Sequence, residues 1–413
     1  VEIWIPYGSS EVGVGVKPEN LSAIVKPNPQ QPVHNMKMEI ESALNNVIGN
    51  LKLEKKTGEE SNLAVIIDSS LGNLFFDNIK SLVLELCRML EIHNLIISWR
   101  NKEGCRNLYQ ILQTSGISDI RILDNDSSNA TFLSNENLEE NKIQKNLPFV
   151  DASLRVFIGR GGLDPTWSYK GSISMALRSS DREAREELLR TVLTSYFHGT
   201  TFDITRLKES INKLASSIGP CLAFDFLVNE EGAIVKILAY LFDDSLIKAT
   251  NAIDDIYKVT TEIASDILVV SAGGSPHDNT LVNSLDAIML NKDLVKKGGT
   301  IILVAECIDG YGNEEFLETT TKHDELKSIK PLLKKEPRVG NFKAYVLKEL
   351  LDDFRLCLVS VMPDYYAKNM FKLRTFRTVG DALQSALRVM GKQATITVVP
   401  YGSFTHGTIK EAH

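Results

Sequence analysis

The chain has no Cys-x-x-Cys pair and no zinc-type ligand spacing; its five cysteines, Cys87, Cys105, Cys221, Cys307 and Cys357, are scattered and odd in number. Isolated thiols of this kind fit small, reduced, buried hydrophobes better than a metal site or a disulfide framework. Histidine is sparse: His34, His93, His198, His277, His323, His406 and His413 are the seven, and no two stand at a short metal-ligand spacing. The sequence therefore gives no direct support for a metal centre. There is no basic excess, since acidic residues outnumber basic ones 53 to 46 and the formal net charge is −7. That argues against non-specific nucleic-acid binding, which needs cations to neutralise phosphates. No apolar run approaches the ~20 residues that cross a bilayer. Val1 to Tyr7 lacks the charged, apolar and cleavage regions of a secretory signal. A cytoplasmic protein without membrane or nucleic-acid partners is the expectation.

What is present is apolar mass. A chain of 413 residues with 43% apolar content builds more than one large core, so two domains are expected. Short apolar runs at 63–67, 94–98, 120–123 and 154–158 alternate with helix-periodic stretches at 36–47, 74–90, 104–113 and 182–196. Continuous apolar strands separated by helices mark a mostly parallel sheet covered on both faces. Residues 221–228 and 233–241, joined by Glu230-Glu231-Gly232, read as a hairpin. A second series begins near Ala264, with strands at 266–270, 300–305, 355–361 and 395–399 and helices at 279–296 and 378–390. Gly298-Gly299 reads there as a turn, and the polar stretch Asn125 to Lys145 as a surface excursion. The expected fold class is α/β: two mostly parallel-sheet domains with an interdomain cleft. The expected domains are 1–262 and 263–413, with a return of the last strand to the first domain as an option.

Ligands of open α/β sheets bind beyond the carboxyl ends of the strands. Several loops have that address. In Gly159 to Ser172 the glycines permit close approach to backbone N–H groups, Arg160 and Lys170 suit phosphate or carboxylate, and Trp167 or Tyr169 suits a ring. The stretch is neither GxGxxG nor a Walker A loop. Its plain alternative is a glycine-rich connection with solvated cations. Gly273 to Asn279 ends a strand and opens a helix; Gly273 and Gly274 offer close approach, Asp278 a polar contact, and His277 an acid, base or ligand. Pro276 and Asp278 equally suit an ordinary helix start. Glu306 to Glu315 offers carboxylates for a cation or hydroxyl, or simply an acidic helix N-terminus. Asp68 ends an apolar strand, where a ligand contact and a turn cap are equally good readings.

These stretches resemble the nickel-dependent lactate racemase family, whose fold binds a nickel–pincer nucleotide. The resemblance lies in Ser271 to Asn279, Lys297 to Ala305, Asp309-Gly310-Tyr311-Gly312, Thr378 to Ala382 and Val398 to Gly402. It is thinner in Ile5-Pro6-Tyr7-Gly8 and Ala43 to Gly49. The resemblance implies two α/β domains and interconversion of 2-hydroxy acid stereoisomers. In such an enzyme the pyridinium takes up a hydride while a histidine takes the hydroxyl proton. This chain departs from the pattern at the motif positions. Where the family has an aspartate, histidine, threonine and arginine run, Ser70-Leu71-Gly72-Asn73 stands here. Where it has a glycine–phenylalanine–histidine–arginine–proline motif, Ser98-Trp99-Arg100-Asn101-Lys102 stands. Thr166 takes the place of a further histidine, Lys170 falls too early for the tethering lysine, Ala176 falls nearer that place, and Asp286 falls near the place of the family's substrate-contacting lysine.

Losing an arginine removes a fixed phosphate partner, and losing histidines removes groups poised near neutral pH. The expectation is a divergent lactate-racemase-like protein that binds a nucleotide-like or small anionic ligand, with altered or lost catalysis. Asp68, Asn73, Arg100, Arg160, Lys170, Gly273, Gly274 and Asp278 are the expected contacts, and His277 and Lys170 the candidate catalytic groups. Two alternatives stay open: a nickel–pincer-dependent 2-hydroxy acid racemase or epimerase, and a non-catalytic interaction protein.

Overall fold

The structure, a computed structural model, describes residues 1–48, 62–99, 101–117, 119–123, 152–166, 168–178, 182–197, 219–242 and 246–410. The expected excursion at 125–145 therefore lies outside the described residues, as do Arg100, Trp167, His198 and His413. In chain order the strands begin with β1 (Glu2–Tyr7), β2 (Ser10–Gly15) and β3 (Leu21–Ile24). Then come β4 (Asn62–Ile67), β5 (Asn94–Trp99), β6 (Asp119–Leu123), β7 (Leu154–Arg160), β8 (Gly162–Asp164), β9 (Ser168–Lys170), β10 (Cys221–Val228) and β11 (Ile234–Leu241). The series closes with β12 (Lys258–Thr261), β13 (Ser265–Ser271), β14 (Val295–Val304), β15 (Arg355–Val359), β16 (Arg374–Phe376), β17 (Ile396–Val399) and β18 (His406–Ile409).

The chain divides into two compact units. Unit two comprises Gln30–Gly162 and Trp167–Ile253. Its sheet has the order β11-β10-β7-β4-β5-β6, parallel except for the β10–β11 hairpin. Leu63 to Ile67 and Leu95 to Trp99 are buried without alternation, as two covered faces require. Because the chain starts at β4 and later returns to β7 beside it, the sheet reverses direction of growth between these two strands. Their carboxyl ends are the natural ligand address.

Unit one comprises Val1–Pro29, Leu163–Thr166 and Asp254–His413. Its six-stranded sheet, β16-β15-β14-β13-β17-β3, is parallel throughout. The antiparallel β1–β2 hairpin adds Ile3, Ile5, Val14 and Val16 to a core with Ile267, Val269, Ile302 and Val304. Full burial of each such side chain stabilises by about 2 kcal/mol. The helix Val379–Met390 covers this core with Val379, Ala382, Leu383 and Ala386, spaced for one helical face. The Thr378 hydroxyl caps it by accepting from the Asp381 N–H at 3.1 Å.

Two expectations change. The boundary at 262 becomes a division near 254, and the first 29 residues belong to unit one, because β3 pairs with β17 and the hairpin packs on the second core. The last strand, β18, pairs with β12, both in unit one. Gly298-Gly299 is not a turn between helix and strand. Ser265 pairs with Val295 and Ile267 with Thr300, so the glycines form a bulge inside β14, and the preceding helix ends at Asn291. Among the described residues no helix is long and apolar enough to cross a membrane.

Candidate functional site

At the carboxyl end of unit two's sheet, the glycine-rich stretch wraps a residue that sequence reasoning passed over. Asp225 lies in β10, 1% exposed, amid the apolar run Cys221–Val228. Its Oδ1 accepts from the Ser172 N–H and hydroxyl, each at 2.8 Å, and its Oδ2 from the Tyr240 hydroxyl at 2.5 Å. Burial pushes its carboxyl up to about 6, against the opposing pull of the Tyr240 and Ser172 hydrogen bonds; the charge of Asp68 adds to the rise. The Tyr240 phenol is pushed well up by burial and by Asp225. A Cβ on Gly159 would come within 2.8 Å of Asp225 Oδ1, and one on Gly171, at φ +104°, within 2.5 Å. These glycines are spent on packing against a carboxylate. The one signal in the sequence was an acid inside a fully apolar strand.

Asp68, Arg160 and Lys170 gather around this knot. The Asp68 N–H donates to the Ile158 carbonyl at 2.9 Å, and its Oδ1 accepts from Ser70 N–H at 2.8 Å, closing a turn after β4. Arg160 ends β7 between Gly159 and Gly161; Lys170 ends β9, its stem within 4 Å of where a Gly162 Cβ would stand. Asn73 is engaged elsewhere: its Oδ1 accepts from Asn101 Nδ2 at 2.8 Å, and Asn101 caps the helix Lys102–Gln113.

In unit one, the loop after β13 fastens the N-terminal hairpin. Asp278, fully buried, accepts from Gly8 N–H at 2.6 Å and Glu306 N–H at 3.2 Å through Oδ2. The Ser275 N–H donates to the Gly8 carbonyl at 2.8 Å, and the Ser271 hydroxyl to the Pro6 carbonyl at 2.5 Å. Gly274 makes room for that Gly8 carbonyl, 2.9 Å from where its Cβ would be, and Gly273 faces the Phe404 ring. The half-buried His277 ring stands edge-on to Phe404, centroids 4.8 Å apart. Burial, then Glu306, Cys307 and Asp278, push the Tyr7 phenol up to about 12. Cys307 is pushed up to about 11, mainly by burial, so its thiol is a poor nucleophile. Asp278 Oδ1 and Asn279 Oδ1 are buried and accept no hydrogen bond from the protein. Asp286 is paired with the buried Lys343.

The nickel–pincer nucleotide needs cations for its phosphate and a soft nitrogen donor for the metal. At unit two's strand ends the described side chains Asp68, Ser70, Asn73, Trp99, Arg160 and Lys170 include cations but no imidazole. Among the described residues no group of three or more His, Cys, Asp or Glu could hold a metal ion. These residues fit the anionic part of such a ligand and not its nickel.

Fold and site define a two-unit parallel α/β protein with ligand addresses at its strand ends. The lactate racemase C-terminal domain family matches residues 260–404, and the lactate racemase N-terminal domain family matches residues 7–89. The chain is 23% identical to the lactate racemase of Thermoanaerobacterium thermosaccharolyticum over 426 aligned positions, covering 97% of each. It is 26% identical to the Lactiplantibacillus plantarum lactate racemase over 144 positions, 34% of each. The structure of the T. thermosaccharolyticum lactate racemase apoprotein superposes with a TM-score of 0.77 at 19% identity, covering 100% of both chains. A Thermotoga maritima protein superposes with a TM-score of 0.61 at 12% identity, over 93% of this chain and 100% of that one. The chain belongs to the lactate racemase family.

Proposed function

We propose that this chain is a divergent lactate-racemase-like protein that binds a nucleotide or other small anionic ligand, with altered or lost catalysis. The observation that carries this reading is the knot around Asp225. It fixes the glycine-rich stretch bearing Arg160 and Lys170 at the strand ends where the sheet reverses its growth, and both cations suit phosphate or carboxylate. Asp68 orders the neighbouring turn, and Arg100 is a further anion contact by its place in the sequence. Gly273, Gly274 and Asp278 serve unit one's loop, where the unsatisfied Asp278 Oδ1 is available to a polar group.

The test is a titration of the full chain with mononucleotides and 2-hydroxy acids, followed by Arg160→Ala and Lys170→Ala. Each replacement is expected to weaken anion binding about tenfold. Undiminished affinity in the double variant would refute the reading.

Family membership supports a second reading, racemisation of a 2-hydroxy acid with Lys170 or His277 in acid–base roles. It is tested on protein produced together with the nickel–pincer biosynthetic enzymes. Native mass spectrometry, metal analysis and a chiral assay of lactate would reveal a nickel adduct and turnover. An empty, inactive protein would sink this second reading and leave the first standing.

A further inference from the structure

The chain as a whole is acidic, yet the stretch from Phe371 to Thr395 carries five bases, Lys372, Arg374, Arg377, Arg388 and Lys392, against one acid, Asp381. This stretch supplies β16, the edge strand of unit one's sheet, and the helix Val379–Met390 that covers the same core. Charges on an edge strand commonly serve only to keep other strands off. Arg355 does not fit that account. It is half-buried and opens β15, the strand next inside β16.

The register sets Arg374 beside it. Arg374 pairs with Cys357 in the parallel ladder between β16 and β15, and Arg355 precedes Cys357 by two residues. Residues two apart on a strand, and partners across a ladder, share a face. That face lies under the helix: Cys357 belongs to the core with Leu383 and Ala386, and Phe376, two residues after Arg374, packs against it. Arg355 Nη2 donates to the hydroxyl of Ser385, on the helix, at 3.4 Å. Burial pushes the Cys357 thiol up, and the charges of Arg355 and Arg374 oppose the rise, so both guanidiniums act on one point.

The surrounding carboxylates do not answer these charges. Asp381, the helix's one acid, precedes Ser385 by a turn and accepts from the Thr378 hydroxyl at 2.8 Å. Asp353, two residues before Arg355, pairs with Lys297 at 2.7 Å. Glu2 and Glu11 of the hairpin lie on its exposed face, alternating with residues that reach the core. Among the described residues neither Arg355 nor Arg374 forms an ion pair, and the Arg355 Nε is buried with no acceptor. A buried guanidinium nitrogen in that position calls for one.

We propose that Arg355, Arg374 and the Ser385 hydroxyl bind a phosphoryl group carried by a small molecule, at the amino end of β15. Two planar guanidiniums match the oxygens of a tetrahedral dianion, and the serine hydroxyl, which accepts from Arg355, keeps its own proton to donate. The inference uses none of the residues on which the proposed function rests, so each can fail alone.

The full chain carrying Arg160→Ala and Lys170→Ala, which lacks the cations of the site proposed above, is titrated with inorganic phosphate. The arginine Nε–H resonances are followed by NMR, and Arg355→Lys identifies the Arg355 signal by its loss. That signal is expected to move with a Kd below about 5 mM, and sodium chloride at equal ionic strength should leave it in place. The replacement of the exposed Arg374, Arg374→Gln, should weaken phosphate binding about tenfold, and Ser385→Ala about threefold. A signal unmoved by about 50 mM phosphate would overturn the proposal. So would an equal movement with chloride, or undiminished affinity in Arg374→Gln. The same titration of the unaltered chain, read at the Arg355 signal alone, decides the matter should the doubly replaced background not fold.

Discussion

Two aspartates organise the two glycine-rich loops, and they do so differently. In unit two, Asp225 is wrapped by its own loop: both oxygens accept from Ser172 and Tyr240, and Gly159 and Gly171 close over it. In unit one, Asp278 reaches across 270 residues of sequence to the Gly8 N–H and leaves one oxygen without a protein donor. The first carboxylate is saturated and sealed; the second is an anchor with capacity to spare. A glycine-rich loop at a strand end is thus no proof of a ligand cradle. Its glycines can serve a carboxylate or a neighbouring carbonyl just as well.

The comparison is broken most forcefully at Asp225. Asp225→Ala strands the Ser172 N–H and the Tyr240 hydroxyl, and urea denaturation should show a loss of about 4 kcal/mol. Gly171→Ala forces a Cβ against the carboxylate at φ +104°, with an expected loss of about 3 kcal/mol by the same measurement. Titration supplies the third contrast. Because the folded carboxyl of Asp225 titrates near 6 and an ordinary one at 3.8, the folded state binds the extra proton between these values. Its contribution to stability therefore falls as pH rises from about 4 to about 6. Denaturation across that window should show this slope in the difference between the unaltered chain and Asp225→Asn, where it is removed; parallel curves would refute the assignment. The smallest effect belongs to Asp278→Asn, which keeps an acceptor for Gly8 and exchanges a charged bond for a neutral one. Thermal unfolding should register a loss of about 1 kcal/mol.

Local patterns in the sequence carried the architecture. Runs such as Leu63 to Ile67 and the spacing of Val379, Leu383 and Ala386 have one good solution each, a buried strand and a helix with one apolar face. What escaped depended on distant partners. Nothing near Leu21–Ile24 announces its pairing with Ile396–Val399, and nothing near Gly171 announces Asp225 or Tyr240. Asp68 was legible as a strand-end acid, and its turn with Ser70 is the plainer of its two readings. Trp99 was read for the histidine absent beside it, whereas its structural setting is the wall of a cavity.

The pairing of β3 with β17 also dictates an order of assembly. On the ribosome, residues Gln30 to Ile253 emerge with nearly all of their own unit's partners, whereas β3 emerges with none of the six-stranded sheet it joins. That strand must be carried along until Ile396–Val399 has been made. Unit one, which takes β3 from before unit two and β17 from after it, is therefore finished later than unit two, and synthesis halted short of β17 would leave β3 with no sheet to join.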